Sequence, residues 1–250
     1  MGLALDGRVA IVTGASAGIG EATALRLARA GARVAFAARR LDRLEASVAQ
    51  LATEGLDAIA HRTDVTSLDD VEALVDATKE AFGRVDILVS NAGVMPTSPI
   101  ADLRVDDWKK MVDVNINGVL HTVAAVLPSM IEQTSGHIVT IGSVAGRRPF
   151  PLGTVYSATK FAVRGLAWGL HLELGARYGI RVTDIQPGLV DTELLGLVEY
   201  EPIREGMAKG WEGKRQLQPV DIAETVLFAV TAPEHVSVSE ILVRPVDQST

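Results

Sequence analysis

The chain of 250 residues is 48% hydrophobic and 22% charged, so it is long and apolar enough to bury a sizeable core instead of staying disordered. Its 24 basic and 31 acidic residues give a net charge of -7, which argues against nucleic acid or anionic membranes as partners, because both need clustered positive charge. The absence of cysteine excludes disulfides, thiolate metal sites and cysteine nucleophiles, and the five histidines follow no metal-binding pattern, so we expect no metal ion.

The start of the chain and its apolar segments favour a cytoplasmic protein. Segment 1–8 contains neither a basic stretch nor a long apolar stretch, so no signal peptide is expected. The longest apolar segment, 118–130, is interrupted by His121 and Pro128. It falls short of the ~18 residues that suggest a membrane span.

Strand-like and helix-like segments alternate along the chain. Short apolar runs predict strands over 8–13, 33–38, 57–61, 86–89, 137–141, 181–185 and 240–243. Helical spacing predicts helices over 18–30, 41–54 and 67–82. A glycine follows each of these helices, and Ser67 is a suitable N-cap for the third.

Strands separated by long helices form βαβ units, whose right-handed crossovers build a parallel sheet. The predicted strands are apolar without alternation, as expected when both faces of a sheet are covered. No linker or internal repeat interrupts the pattern. We therefore predict an α/β fold, a doubly wound parallel sheet of about seven strands with helices on both faces, in a single domain over 1–250.

Segment 188–219 departs from this regularity, because prolines and glycines interrupt its local helical spacing. Long irregular segments inside compact domains are often lids or binding loops. We predict a substrate lid here, and a poorly ordered surface insertion is the alternative.

The first predicted strand runs through a glycine-rich turn directly into a helix. Gly14, Gly18 and Gly20 let the backbone approach a pyrophosphate, and the helix N-terminus offers free N–H groups and a partial positive charge. Their spacing, TGxxxGIG, differs from the GxGxxG dinucleotide fingerprint. With this spacing the chain resembles the short-chain dehydrogenase/reductase family in its roughly 250-residue form, over essentially its whole length.

The resemblance implies a Rossmann fold with a nicotinamide dinucleotide at the strand ends. Asp64 and Val65 match the family's adenine-contacting pair, 91–93 matches its Asn-Ala-Gly motif with Ser90 in place of a first Asn, and 187–192 is similar to its PGxVxT motif. The implied cofactor-binding residues are Gly14, Ser16, Gly18, Ile19, Gly20, Asp64, Val65, Asn91, Ala92, Gly93, Tyr156, Lys160, Pro187, Gly188, Val190 and Thr192.

The choice of cofactor is decided at the end of the second strand. An acidic residue there would bind the ribose 2′-hydroxyl of NAD, whereas an arginine would bind the 2′-phosphate of NADP. The sequence has Arg39 and Arg40, and a guanidinium suits a phosphate because it is always charged and binds through two N–H groups. We predict NADP (NADPH) in preference to NAD. Two solvated arginines are the alternative, and the basic residue that the family often has at position 17 is replaced by Ala17.

Tyr156 and Lys160 form a YxxxK motif, whose two residues share one face of a helix. A tyrosine titrates at about 10, so proton transfer at pH 7 requires about 4 kcal/mol of stabilisation of the phenolate. An ammonium about 4 Å away supplies about 4 kcal/mol at an effective dielectric of about 20. We therefore expect Lys160 to lower the pKa of Tyr156.

Ser143 and Asn115 complete the catalytic set that the resemblance implies. Ser143 follows the fifth strand and would hold the substrate oxygen. Asn115 matches the family's helix asparagine, which keeps a water that links the lysine to solvent. Without the resemblance, Ser143 is equally consistent with a plain loop hydroxyl, and Asn115 is better explained as an ordinary polar residue of a helix. The implied reaction is hydride transfer between NADP and an alcohol or carbonyl, with Tyr156 as acid and base.

The substrate is expected to be a small alcohol, ketone or aldehyde. Segments 147–151, 216–221 and 243–248 resemble the branch of the family that contains 3-hydroxy acid and serine dehydrogenases and clavulanate-type aldehyde reductases. For a substrate with a carboxylate, the candidate partners are Arg147, Arg148 and Arg204. Surface arginines beside a lid are the alternative.

Two other functional classes compete with this interpretation. A serine hydrolase needs GxSxG, but Ile141 and Ala145 occupy the glycine positions around Ser143. A non-catalytic NADP-sensing protein would use the same binding motifs, although it does not need an activated phenol.

The family resemblance also implies a homotetramer, with the helices around Asn115 and Tyr156 as one interface. The apolar residues available to the two helices are Val119, Leu120, Val123 and Val126 on the first, and Phe161, Val163, Leu166, Trp168 and Leu170 on the second.

Overall fold

The computed structural model describes residues 3–196, 213 and 215–248. Its strands are β1 (Val9–Thr13), β2 (Arg33–Ala38), β3 (Ala58–Arg62), β4 (Ile87–Ser90), β5 (Gly136–Ile141), β6 (Ile180–Pro187) and β7 (Glu240–Val243). They pair in parallel in the order β3-β2-β1-β4-β5-β6-β7. The predicted seven-stranded parallel sheet is confirmed, and each predicted strand end lies within two residues of the observed one.

The chain has eight α-helices in its described residues, and capping residues or glycines mark the ends of several of them. They are α1 (Gly18–Arg29), α2 (Leu41–Thr53), α3 (Leu68–Phe82), α4 (Val105–Val112), α5 (Gly118–Gln133), α6 (Thr154–Tyr178), α7 (Glu193–Gly196) and α8 (Pro219–Val230). Ser67 caps α3 as predicted, because its Oγ accepts a hydrogen bond of 3.1 Å from the Asp70 N–H. Gly83 ends the same helix in the left-handed conformation, with φ of 83°.

Successive strand residues point to opposite faces of the sheet, which explains why the strands are apolar throughout. Val34 and Phe36 of β2 belong to a buried cluster that also contains residues of α1, α2 and α8. Ala35 and Ala37 of the same strand belong to a second cluster, with residues of α3, α5 and α6. Helices therefore cover both faces of the sheet, as predicted.

The strand order reverses direction beside β1. The chain proceeds outward from β1 through β2 to β3 and then returns to place β4 on the other side of β1. Such a reversal opens a crevice beyond the carboxyl ends of the two strands at the switch point, where open α/β sheets bind their ligands. The fold thus positions the ends of β1 and β4 at the floor of a binding site.

One helix of the described chain, Val105–Gln133, is long and apolar enough to cross a membrane by length and composition alone. It consists of α4, a π-helical turn (Asp113–Asn117) and α5. Val119, Val123 and Val126 of α5 are buried against the sheet, so core packing accounts for much of its apolar character.

The apolar residues that were expected at a subunit interface divide between core and surface. Val119, Val123, Val126 and Val163 lie in the core beneath the sheet, and Leu170 packs against it. Leu120, Phe161 and Trp168 are exposed, and so is Leu172 one turn further along α6. The outer surface of α5 and α6 is therefore apolar at fewer positions than the sequence pattern indicated.

The two ends of the predicted lid are joined to each other. Val190 forms a parallel bridge with Leu217, the Asp191 N–H donates to the Leu217 carbonyl at 2.8 Å, and the Leu217 N–H donates to the Leu189 carbonyl at 3.1 Å. Residues 197–212 and 214, which include Arg204, lie outside the described residues, and the predicted lid is described only at these ends.

His137 of β5 is a buried histidine, with 2% of its surface exposed. Its Nε2 lies 2.8 Å from the Thr183 hydroxyl, and its Nδ1 has no hydrogen-bond partner among the described residues. Burial, with a smaller contribution from the charge of Arg181, lowers the pKa of His137 to about 3. The imidazole is therefore neutral in the folded protein over the physiological range.

We expect His137 to make the protein sensitive to acid. In the unfolded chain a histidine takes up its proton near pH 6.5, whereas in the folded protein His137 stays neutral until about pH 3. The free energy of unfolding is therefore largest above pH 6.5 and decreases as the pH falls below it. In His137→Gln the free energy of unfolding should fall less steeply between pH 7 and pH 5, by up to about 1.4 kcal/mol per pH unit. Urea unfolding at several pH values measures the slope. The exposed His235→Gln is the control, and parallel curves for His137→Gln and wild type would contradict the prediction.

Candidate active site

A cavity of about 890 Å³ lies at the carboxyl ends of the strands. The predicted site residues that line it are Gly14, Ser16, Gly18, Ile19, Arg39, Arg40, Asp64, Val65, Asn91, Ala92, Gly93, Ser143, Tyr156, Lys160, Pro187, Gly188, Val190 and Thr192. Gly20 and Asn115 are absent from the lining but adjoin residues that form it. Gly20 packs against Gly14, and Asn115 is hydrogen-bonded to Val94. Across the described ranges, no three histidine, aspartate or glutamate side chains are grouped to hold a metal ion.

The glycine turn between β1 and α1 has no room for a side chain at Gly14 or at Gly20. Gly14 has a φ of 66°, and a Cβ on it would lie 2.7 Å from Asn91 Nδ2 and 2.9 Å from Ala92 Cα. A Cβ on Gly20 would overlap the carbonyl oxygen of Gly14. The turn therefore presents bare backbone at a helix N-terminus, which is the surface that a pyrophosphate requires.

Thr13 joins the ends of β1 and β4. Its Oγ1 accepts hydrogen bonds from the N–H groups of Asn91 and Ala92, at 3.1 and 3.2 Å. Asn91 Nδ2 in turn donates to the Thr13 carbonyl at 2.8 Å. The Asn-Ala-Gly segment is thus held against the glycine turn, and a plain turn after a strand would not need these bonds. Ser90, which replaces the family's first asparagine, instead has its hydroxyl 3.0 Å from that of Thr122 in α5.

Two arginines with different surroundings lie at the end of β2. Arg40 donates to the Ser16 hydroxyl at 3.1 and 3.0 Å and to a Glu193 carboxylate oxygen at 2.9 Å. Glu193 also accepts a hydrogen bond of 2.7 Å from Arg43, which lies outside the cavity lining. Within the described part of the chain, the Arg39 guanidinium makes no hydrogen bond or ion pair. Glu193 was not foreseen from the sequence, because it follows Arg40 by 153 positions.

Asp64 follows β3 and lines the same side of the cavity. Its Oδ1 accepts hydrogen bonds from the N–H and hydroxyl of Thr66, at 3.0 and 2.8 Å. Burial raises the pKa of Asp64, but the Thr66 hydrogen bonds and the charges of Arg39 and Arg62 outweigh it and lower the pKa overall. The carboxylate is therefore a fixed acceptor at the cavity edge.

Tyr156 lies near the start of α6 and is 7% exposed. Burial raises its pKa to about 12, against a smaller lowering by a hydrogen bond with the Ser143 side chain. This is the opposite direction from the lowering expected from Lys160. The Coulomb argument omitted the cost of moving a phenolate out of water, and burial is the larger influence here.

Lys160 lies one turn further along α6 and is 6% exposed. Its Nζ donates a hydrogen bond of 2.7 Å to the Ile141 carbonyl and lies 5.8 Å from the centre of the Tyr156 ring. Burial lowers the pKa of Lys160 to about 8, and the charge of Asp184 opposes this lowering. The ammonium thus shares the phenol's side of the helix but binds the main chain at the end of β5.

Asn115 lies in the π-helical turn between α4 and α5 and is 1% exposed. Its Oδ1 accepts from the Val94 N–H at 2.8 Å, and its Nδ2 donates to the Val94 carbonyl at 3.0 Å and to the Thr159 hydroxyl at 3.1 Å. A Cβ on Gly93 would lie 3.5 Å from Asn115 Oδ1 and 3.9 Å from Lys160 Nζ. Asn115 therefore fastens the segment after β4 to the helix that carries Lys160, and π-turns of this kind are frequent at functional sites.

The PGxVxT-like segment, which begins at the last residue of β6, lines the cavity beside the glycine turn. A Cβ on Gly188 would overlap the side-chain oxygen of Gln248, which accepts a hydrogen bond of 3.0 Å from the Leu189 N–H. The methyl group of Thr192 would lie 3.2 Å from a Cβ on Gly18. The C-terminal residues Asp247 and Gln248 therefore form part of the wall, which the sequence pattern did not predict.

The candidate carboxylate-binding arginines are separated by the structure. Arg148 lines the cavity, as do the apolar residues Met95, Phe150 and Leu194. Arg147 is absent from the lining, because its guanidinium hydrogen-bonds Gln186 and pairs with Glu240. Of the two neighbouring arginines, Arg148 is therefore the one placed to meet a ligand.

An open parallel α/β sheet with a glycine turn at its switch point is the architecture of the Rossmann-like class of proteins. The family described as short chain dehydrogenase matches residues 8–201 of this chain. The chain belongs to this family, and the protein is an oxidoreductase that acts as a dehydrogenase or reductase.

Two curated relatives are similar over nearly the whole chain. The glycine betaine reductase ATRR of Emericella nidulans is 45% identical over 98% of this chain, which spans only 19% of the length of that protein. An uncharacterised oxidoreductase of Staphylococcus aureus (strain MRSA252) is 44% identical over 97% of this chain and 99% of its own. The second relative thus has the same extent as this chain.

Two solved structures share the fold and about a third of the sequence. A serine dehydrogenase in its closed form with NADP+ has a TM-score of 0.86 and 35% identity, over 97% of this chain and 96% of its own. An alcohol dehydrogenase of the archaeon Thermococcus sibiricus with 5-hydroxy-NADP has a TM-score of 0.86 and 34% identity, over 97% of this chain and 98% of its own. The Rossmann-like fold expected from the family resemblance is confirmed by these likenesses.

Proposed function

We propose that this protein is an NADP-dependent oxidoreductase that transfers a hydride between the nicotinamide and a secondary alcohol, a ketone or an aldehyde. The observation that carries the proposal is that Ser143, Tyr156 and Lys160 line the same cavity as the glycine turn. A sensing protein would need the turn but not a buried phenol beside a buried ammonium. A serine hydrolase is not supported, because Ser143 Oγ accepts a hydrogen bond of 3.1 Å from the Ala145 N–H in a turn without the required glycines.

The residues of the cavity fit NADP. The bare backbone at Gly14 and Gly18 suits the pyrophosphate, and Arg39, whose guanidinium makes no hydrogen bond or ion pair within the described residues, suits a 2′-phosphate. Asp64 lies close enough for its carboxylate to interact with the Arg39 charge on the adenine side. NADP-bound likenesses to a serine dehydrogenase and an alcohol dehydrogenase support the same choice.

Tyr156 is the proton donor and acceptor of the proposed reaction. NADP(H), when bound, supplies the hydride for reduction of a carbonyl and accepts it in oxidation of an alcohol. With a pKa of about 12 the phenol is protonated at neutral pH, so Tyr156 is ready to give its proton to a carbonyl oxygen. Ser143 holds the same oxygen and donates a hydrogen bond to the alkoxide charge that develops there. In the opposite direction, the Ser143 hydrogen bond and the Lys160 ammonium are the groups that favour the phenolate.

The proposal extends to the setting of the enzyme. We infer one domain over 1–250, a cytoplasmic location, a small-molecule substrate, and neither nucleic acid nor membrane as a partner. A homotetramer is proposed from the family, with the exposed Leu120, Phe161, Trp168 and Leu172 as the apolar part of one interface.

Replacing Tyr156 tests the reaction. In Tyr156→Phe the ring is kept and the proton donor is lost, so kcat should fall by about 100-fold or more while the affinity for NADPH stays the same. Turnover is measured by nicotinamide absorbance with a panel of aldehydes, ketones and hydroxy acids, and binding by NADPH fluorescence. Tyr178→Phe, at the far end of α6, is the matched control. Undiminished turnover in Tyr156→Phe would overturn the mechanism, and NADPH binding by the wild type without turnover of any substrate would favour the sensing protein.

Replacing Arg39 tests the cofactor. Loss of a charge-assisted contact to the 2′-phosphate should reduce the ratio of NADPH to NADH affinity by about 10-fold to 100-fold in Arg39→Ala. Arg43→Ala is the matched control, since Arg43 lies nearby but outside the cavity lining. Dissociation constants from fluorescence titrations provide the ratio. An Arg39→Ala protein with the wild-type preference would refute the assignment of the 2′-phosphate to this residue.

Replacing Arg148 tests the substrate class. The likeness to a serine dehydrogenase and the position of Arg148 in the cavity support a substrate that carries a carboxylate beside its hydroxyl group. In Arg148→Ala, kcat/KM for 3-hydroxy acids should fall by about 10-fold to 100-fold, because a bidentate ion pair is lost. Neutral alcohols of similar size serve as the control and should be unaffected. An equal loss on both kinds of substrate would dismiss the pairing.

A further inference from the structure

Asp184 of β6 is a buried carboxylate that the proposed mechanism does not yet use. Only 1% of the residue is exposed. Its Oδ1 accepts a hydrogen bond of 2.8 Å from the Thr140 hydroxyl, and its Oδ2 accepts one of 2.6 Å from Gln186 Nε2. Both donors are neutral, so they orient the carboxylate but do not compensate its charge.

Lys160 is a buried cation whose charge interacts with that of Asp184, and both groups lie beside the main chain at the end of β5. Lys160 Nζ donates to the carbonyl of Ile141, the last residue of that strand. The Asp184 carboxylate lies against the next residue, where a Cβ on Gly142 would be 2.6 Å from Asp184 Oδ1. Each charge favours the other: Asp184 raises the pKa of Lys160, and Lys160 lowers that of Asp184. Burial acts in the opposite direction on both groups.

The other charged groups around Asp184 are already paired. Glu240 of β7, which interacts with Asp184 through its negative charge, pairs with Arg147 and, at 2.8 Å, with Arg164 of α6. Arg147 also donates to the side-chain oxygen of Gln186. Arg164 also interacts with the charge of Asp184, but its guanidinium is bound to Glu240. Among the described charged groups around Asp184, Lys160 is the buried cation that forms no ion pair with another carboxylate.

We propose that Asp184 is a positioning residue of the reaction, whose buried carboxylate keeps the Lys160 ammonium charged and fixed behind Tyr156. The inference rests on the proposed function, because it is that reaction which needs a cation beside the phenol. A neutral amine at position 160 would give the phenolate no Coulombic stabilisation. Asp184 lies on β6, the Ile141 carbonyl ends β5 and Lys160 lies on α6, so the spacing of the two charges is set by packed elements of the core.

The coupling of the two charges is measured by the titration of Lys160. In the full-length protein labelled with 13C-lysine, the resonance of Lys160 is assigned by its loss in Lys160→Met, and its wild-type midpoint is expected at about pH 8. In Asp184→Asn the midpoint should fall by about one pH unit, as expected when a nearby opposite charge is removed. Glu240→Gln, which removes a carboxylate from the neighbouring strand, is the matched control and should move the midpoint less than Asp184→Asn does, because Glu240 is paired with arginines. An unchanged midpoint in folded Asp184→Asn, or an equal change in both variants, would overturn the proposal.

A reciprocal measurement decides the proposal if Asp184→Asn does not fold. Coupling between two sites acts equally in both directions, so Lys160→Met should raise the titration midpoint of the Asp184 carboxyl group, measured on 13C-aspartate. An unchanged Asp184 midpoint in that variant would refute the coupling.

Activity separates this inference from the proposed function. With a substrate found in the panel, the alkaline limb of the kcat/KM profile of Asp184→Asn should move to lower pH together with the Lys160 midpoint. A shifted midpoint without turnover by the wild type would refute the proposed function and leave the charge coupling intact. A shifted midpoint with an unmoved pH profile would show that Asp184 has no part in the reaction.

Discussion

The buried ammonium of Lys160 is the constraint that the catalytic side of the cavity is built around. Burial opposes its charge, and the two groups that favour its charged form lie at the end of β5. Ile141 offers its carbonyl, and Asp184 occupies the volume beside Gly142. Gly146 is equally confined, because a Cβ there would lie 2.7 Å from the Lys160 carbonyl oxygen. Glycines therefore stand on both sides of Ser143 for reasons of packing, and not as the elbow of a hydrolase.

At the glycine turn, the corresponding constraint is on the space around the backbone and not on a buried charge. The glycine turn must keep its surface clear of side chains, and yet it must not collapse into the crevice. The side chains of Thr13 and Asn91 hold the turn in place, because each forms hydrogen bonds with main-chain atoms at the end of the other strand. The same arrangement fixes Gly93, which lies close to both Asn115 and Lys160. The segment 91–93 after β4 therefore contacts both the glycine turn and the part of the cavity that contains Lys160.

The sequence predicted those features that depend on local pattern. Runs of apolar residues with glycines between them determine the seven strands, and the TGxxxGIG spacing determines the turn, because both follow from neighbours in the chain. The roles of Asp184 and Glu193 could not be foreseen in this way, since their partners lie on other strands or helices. Arg147 and Arg148 are adjacent and chemically identical, and only the position of Glu240 separates them. The pKa of Tyr156 was predicted in the wrong direction because burial cannot be read from a spacing of four residues.

The positive charge that the cavity offers to a ligand depends on which arginines form ion pairs with carboxylates of the protein. The chain carries a net charge of -7, and four arginines in the described residues around the cavity pair with carboxylates. Arg40 and Arg43 share Glu193, and Arg147 and Arg164 share Glu240. A paired arginine must break its ion pair before it can bind an anionic ligand. Arg39 and Arg148 make no side-chain hydrogen bond within the described residues, so they can bind such a ligand without this cost. These two lie in the cavity lining, one beside the glycine turn and one beyond Ser143. In an acidic protein, the unpaired guanidinium groups are therefore the positions at which an anionic ligand gains most from its charge.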